Sequence, residues 1–249
     1  MIELSELLSQ ALDYEHELPP APAQLGIPQG KEIAGWIDHT LLKPEATAAQ
    51  IQILCQEAMQ HHFASVCINP AFVTLASGLL RNATEVVCTV VGFPLGASLP
   101  EYKVFETLAC VNAGAAEIDM VLNVGALKGQ AYGLVLNEIQ AVAQTAHNQG
   151  AIVKVILETV LLTTREKIIA CLISKAAGAD FVKTSTGFGA GGATVEDVEL
   201  MRRVVGATMG VKAAGGIRTL ADALAMIRAG ANRLGASAGV KIVQETEAG

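Results

Sequence analysis

From residue 37 to the C-terminus, short runs rich in β-branched residues take turns with stretches of helical period. The candidate strands are 37–42, 65–69, 85–91, 117–123, 152–158, 181–186, 210–214 and 233–237. A Gly-Ala step recurs at 114–115, 150–151, 178–179 and 230–231, where glycine suits the left-handed end of a helix before a strand. Strand–helix alternation means a parallel sheet. Eight units in one body of this length predict a single (β/α)8 TIM barrel rather than an open sheet. Upstream, Ile2, Leu4, Leu7, Leu8, Ala11 and Leu12 fall near one face of a helix over 2–16. Pro19, Pro20, Pro22 and Pro28 then break the pattern. Residues 1–30 are therefore an N-terminal helix and linker, and 31–249 the barrel.

Polar positions inside the strands sharpen this reading. Central strands of an open sheet are covered on both faces and read as continuous apolar runs. Here Ile118, Met120 and Leu122 oppose Glu117, Asp119 and Asn123, and Val153, Val155 and Leu157 oppose Lys154 and Glu158. Val182 and Thr184 oppose Lys183 and Ser185, and Val211 and Ala213 oppose Lys212. The apolar sets must face the outer helices, so the charged sets point into the barrel. Asp119, Lys154, Lys183 and Lys212 thus share one interior, with Asp38 of the first strand as a possible fifth member.

Composition narrows the function classes. Of 249 residues, 51% are hydrophobic and 16% charged, and the formal net charge is −7. That balance excludes disorder and argues against a basic nucleic-acid surface. Glu3, Glu6, Asp13, Glu15 and Glu17 precede any lysine or arginine, which leaves the body close to neutral. So few charges on a body this apolar point to a homodimer or larger homo-oligomer. The longest uncharged run, 63–80, contains Asn69-Pro70 and several small polar residues, so no membrane span is expected. The acidic N-terminus lacks the features of a signal peptide. Cys55, Cys67, Cys88, Cys110 and Cys171 are far apart, never in a Cys-x-x-Cys pair and mostly in apolar runs. They read as free thiols of a cytoplasmic protein. Neither they nor the histidines show metal-ligand spacing, and no metal is expected.

Three lysines on neighbouring strands are hard to explain by stability, because burying like charges together is unfavourable. Ion pairs with Asp38, Asp119, Glu117 or Glu158 would be the structural explanation. The chemical one is that neighbouring ammonium groups make Lys183, on the middle strand, the lysine that gives up its proton most readily. An ordinary lysine is almost wholly charged at neutral pH, and a free amine is a nucleophile suited to Schiff-base chemistry on a carbonyl. Asp119 is then the natural proton shuttle. Gly-rich mouths follow strands 6, 7 and 8 at 186–192, 215–216 and 235–239. Small residues there let backbone N–H groups approach a phosphate. Residues 187–192, GFGAGG, formally match a dinucleotide motif. They follow the sixth strand rather than the first, and the next strand ends in Lys212-Ala-Ala-Gly-Gly without an acid for a ribose.

These same stretches resemble the deoxyribose-phosphate aldolase family of class I aldolases. The resemblance rests on IDHTLLKPEAT (37–47), VCTVVGFPLGA (87–97), EIDMVLNVGALKGQ (117–130), GADFVKTSTGFGAGGAT (178–194), VKAAGGIRT (211–219) and RLGASAGVKI (233–242). It implies reversible cleavage of 2-deoxy-D-ribose 5-phosphate to acetaldehyde and D-glyceraldehyde 3-phosphate in deoxynucleoside breakdown, without cofactor or metal. By position it implies Lys183 as the Schiff-base lysine, Lys212 as the lysine that eases its deprotonation, and Asp119 as the acid/base. It implies Asp38, Thr40 and Lys154 as a supporting polar network, and Gly187, Gly215, Gly216 and Ser237 as phosphate contacts. Cys67 resembles a pocket cysteine of some members, although a plain core thiol is the simpler reading. Three features depart from the family pattern. No tyrosine stands near the C-terminus, Ala238 replaces a second serine, and the first 30 residues lie largely outside the resemblance. An isomerase on the same barrel and a non-catalytic sugar-phosphate sensor are the competing readings.

Overall fold

The computed structural model describes residues 4–23 and 26–247. Its strands are β1 (Ile37–Leu41), β2 (Ser65–Ile68), β3 (Val86–Val91), β4 (Glu117–Val121), β5 (Ile152–Ile156), β6 (Phe181–Lys183), β7 (Gly210–Ala214) and β8 (Arg233–Ala236). The helices are α1 (Leu4–His16), α2 (Ala48–His61), α3 (Val73–Leu79), α4 (Pro100–Asn112) and α5 (Val124–Lys128). They continue with α6 (Tyr132–His147), α7 (Thr164–Ala176), α8 (Val195–Val205), α9 (Leu220–Arg228) and α10 (Gly239–Glu245). Every strand pairs in parallel with its sequence neighbours, and β8 closes on β1 through Ile37↔Leu234 and His39↔Ala236. The result is the eight-stranded barrel that the alternation predicts.

Period-2 patterning explains how the barrel is filled. Ile118, Met120, Val153, Val155, Val182, Val211 and Ala213 are fully buried under the helices, while the charged residues between them point inward. Five of the helices that follow strands begin on side-chain acceptors. Thr47, Asn123, Thr163, Thr194 and Thr219 each cap a backbone N–H of the first turn. These caps fix where each helix leaves its loop at the C-terminal rim.

The N-terminal helix runs 4–16, with Ile2 outside the described residues. It packs on α7 and buries Leu7 and Ala11. The linker beyond it is held by Arg203 of α8, whose guanidinium donates to the carbonyls of Leu18 and Pro19 at 2.8 and 2.7 Å. Among the described residues no helix is long and apolar enough to cross a membrane. All five cysteines are buried and free.

Candidate active site

Strand register decides how the interior charges meet. Asp119 pairs with Lys154, and Lys183 pairs with Lys212, but Lys183 stands level with Ile156 rather than Lys154. Lys183 is therefore not simply flanked by two lysines at its own height, as strand order alone suggests; Lys154 sits a layer below. All three converge on one carboxylate instead. Lys154 Nζ donates to Asp119 Oδ1 at 2.8 Å, and Lys183 Nζ and Lys212 Nζ each donate to Oδ2 at 2.7 Å. Lys154 also contacts Glu117, and Lys212 contacts Asp38. Arg233 of β8 closes the base of the cluster, bonding Asp38 Oδ1 at 2.7 Å and Glu117 Oε1 at 2.8 Å.

The fields are strong because Asp38, Asp119, Lys154 and Lys212 are fully buried. Burial alone would raise the carboxyl pKa of Asp119, but Lys154, Lys183 and Lys212 outweigh it and hold it well below the usual carboxylate range. Asp38 is likewise lowered, against its own burial, by Lys212, Lys154 and Arg233. Burial would strip the proton from Lys154 and Lys212. Asp119 together with Glu117 and Asp38 at Lys154, and together with Asp38 at Lys212, outweighs that cost, so both are held above the usual lysine range. These two are held as cations at neutral pH.

Above the cluster the rim opens into a cavity of about 380 Å3. Thr40, Gly187, Gly215, Gly216 and Ser237 all line it, and so does Lys183. Lys154 and Lys212 are sealed at 0% exposure, so Lys183, at 2%, is the lysine of the three that reaches the cavity. Gly215 and Gly216 adopt φ of +86° and +83°, a backbone state that side chains disfavour.

Residues 33–245 match the family model described as DeoC/LacD family aldolase. The chain belongs to this aldolase family. It is 61% identical over 214 residues to a deoxyribose-phosphate aldolase of Thermoanaerobacter sp. (strain X514), covering 86% of this chain and 96% of that one. A deoxyribose-phosphate aldolase of Thermococcus kodakarensis is 59% identical over 216 residues, with the same coverage. Two solved structures extend over the N-terminal helix as well. A deoxyribose-phosphate aldolase candidate from Coccidioides immitis superposes with a TM-score of 0.92 at 43% identity, covering 99% of this chain and 98% of that one. The deoxyribose phosphate aldolase of Aeropyrum pernix, described as a unique tetramer, gives 0.81 at 33% identity, covering 99% of both.

Within this aldolase several expected residues take different places. Thr40 does not join the ionic network; its hydroxyl donates to the carbonyl of Asp38 at 2.8 Å and its side of β1 faces the cavity. Glu158 neutralises none of the lysines and turns instead to Thr186. Cys67 is a fully buried core thiol. It lies inside the barrel with Leu42, Cys88 and Val90, and donor atoms of Cys67, Cys88 and Asp119 fall within 4.8 Å of one another. Strand register thus assembles a donor set that linear spacing does not show. Asp119 in that set already accepts from three lysines, so a metal cation there would have to displace the positive charge of Lys154 and Lys212.

Four functional positions escape the sequence reading. Arg233 is an inward charge on β8, legible had the alternation rule been extended to RLGAS. Cys88 donates its thiol to Asp119 Oδ1 at 3.2 Å and accepts from Lys154 at 3.3 Å. Lys43 and Arg218 stand on the cavity wall in loops after β1 and β7. Loop positions carry no period, so no pattern marks them.

Proposed function

We propose that this aldolase cleaves 2-deoxy-D-ribose 5-phosphate to acetaldehyde and D-glyceraldehyde 3-phosphate, reversibly, through a Schiff base on Lys183. The observation that carries the reading is that Lys183 opens on the cavity while its two companions are sealed and held charged. The amine attacks C1 of the open-chain aldehyde and water leaves, forming an iminium. Removal of the C3 hydroxyl proton then breaks the C2–C3 bond. The bonding pair moves toward the iminium, giving an enamine on Lys183 and free glyceraldehyde 3-phosphate. Protonation of the enamine and hydrolysis release acetaldehyde and restore the amine. Asp119, with water, is the acid/base for these transfers, and Lys212 keeps a fixed positive charge beside Lys183. Asp38 and Lys154 hold Asp119 and Lys212 in register.

The phosphate end is assigned to Gly187, Gly215, Gly216 and Ser237, with Lys43 and Arg218 adding positive charge on the same wall. A cytoplasmic homo-oligomer is consistent with five free thiols and with Leu95, Leu99, Tyr102 and Phe105 exposed along one side of the barrel. The match to the tetrameric Aeropyrum pernix enzyme supports the same reading. Sodium borohydride added with 2-deoxyribose 5-phosphate tests the proposal. A stable two-carbon adduct on Lys183 by peptide mass spectrometry is expected, together with acetaldehyde release in its absence. An isomerase would give neither, and an adduct on Lys154 or Lys212 would overturn the assignment.

A further inference from the structure

Glu158 has features that the proposed reaction does not use. Leu157 N–H bonds the carbonyl of Lys183 at 2.9 Å, and Thr159 N–H bonds that of Thr184 at 3.0 Å. The chain after β5 thus uses three residues, 157–159, against Lys183 and Thr184 at the end of β6, which is a bulge. The extra residue, Glu158, sits at φ +55° and ψ +62°, the left-handed region that side chains disfavour. Bulges re-aim side chains, and this one turns a carboxylate away from the lysines and under the β6–α8 loop. Glu158 is 5% exposed, and its Oε2 accepts from both the backbone N–H (3.2 Å) and the hydroxyl of Thr186. The Thr186 hydroxyl in turn accepts from Phe188 N–H at 3.1 Å. The other oxygen, Oε1, is buried with no hydrogen-bond partner and lies against Gly189, where a β-carbon would come within 3.2 Å.

This relay takes up the N–H groups on both sides of Gly187 and leaves that of Gly187, on the cavity wall, without a partner among the described residues. It also fixes Phe188, whose ring meets Phe93 edge-on at 5.2 Å. We propose that Glu158 is a positioning residue: through Thr186 it holds the β6–α8 loop in the shape that presents Gly187 to the phosphate end of the substrate. The inference rests on the functional reading above.

The test compares 2-deoxyribose 5-phosphate with unphosphorylated 2-deoxyribose. Glu158→Ala keeps a β-carbon and so leaves the backbone preference unchanged. It is expected to lower kcat/KM for the phosphorylated sugar about tenfold, mainly through KM, and to change that for 2-deoxyribose less than about twofold. Glu158→Gln retains an acceptor for Thr186 and should recover most of the loss. Thr186→Val breaks the same relay from the other side, so the comparison stands even if Glu158→Ala fails to fold. Equal losses on both sugars, or no loss on either, would overturn the proposal. Wild-type enzyme that cleaves neither sugar, or both equally well, would instead overturn the functional reading or its phosphate assignment.

Discussion

Asp119 accepts hydrogen bonds from three lysine side chains and a thiol, which fills the roughly four lone-pair sites of a carboxylate. Its geometry and its charge therefore both hold the cluster together. Asp119→Asn keeps the shape but offers an NH2 group where acceptors are needed. We expect at least about a hundredfold loss in kcat and a stability loss of about 3 kcal/mol from buried cations left short of a partner. Steady-state kinetics and denaturant unfolding measure the two, and near-normal kcat would sink the role assigned to Asp119. Residues of this cluster were legible wherever a charge broke an apolar alternation, as at Asp119, Lys154, Lys183 and Lys212. Cys88 was not, because a thiol among valines looks like any small core residue. Glu158 was misread for a different reason: period-2 counting cannot see a bulge, and one extra residue reverses the face.

The β6–α8 loop shows the same limit one scale up. Its glycines match a nucleotide-binding pattern in sequence, yet their spacing answers to packing. A β-carbon on Gly191 would come within 2.9 Å of Val160, and one on Gly192 within 2.3 Å of the Gly215 carbonyl oxygen. Gly192 stands where the loop after β6 crosses the loop after β7, so its missing side chain lets two walls of the cavity touch. Ala193 N–H secures the crossing by bonding the carbonyls of Ala214 and Gly215, both at 3.1 Å. Gly192→Ala forces those backbones apart. It should cost about 1–3 kcal/mol and raise KM for the phosphorylated sugar, since Gly215 is displaced directly; an unchanged Tm and KM would show that the crossing is slack. Strands were readable from their periods, to within a residue or two at most ends, and so was the first helix. Contacts between loops were not, because they join residues far apart in sequence. The docking of α1 is a similar case: its apolar face was legible, but Arg203 reaching the Leu18 and Pro19 carbonyls was not.

At the scale of the whole molecule, the net charge of −7 says less about pH behaviour than the placement of the buried charges. Asp38 and Asp119 are lowered in the folded state, so the unfolded chain binds more protons below the ordinary carboxylate pKa of about 4. Their stabilisation is present above that point and is lost as pH falls toward the folded values. Lys154 and Lys212 are raised, so their contribution is complete below about pH 10.4 and is lost as pH rises through the folded values. His39 adds a gentler acid slope. Burial lowers it despite its 2.7 Å contact with Glu57, so stability begins to fall below about pH 6.5, where the unfolded histidine takes up a proton first. Thermal midpoints from pH 2 to 11 should therefore form a plateau from about pH 7 to 10, decline slightly toward pH 4 and drop steeply below it. Asp38→Asn removes one of the two lowered carboxylates. It should reduce the plateau, because Lys212 and Arg233 lose a partner, while making the acid limb shallower. A steady decline across pH 7–10, or an acid limb equally steep in Asp38→Asn, would show that the interior cluster does not govern the stability of the barrel.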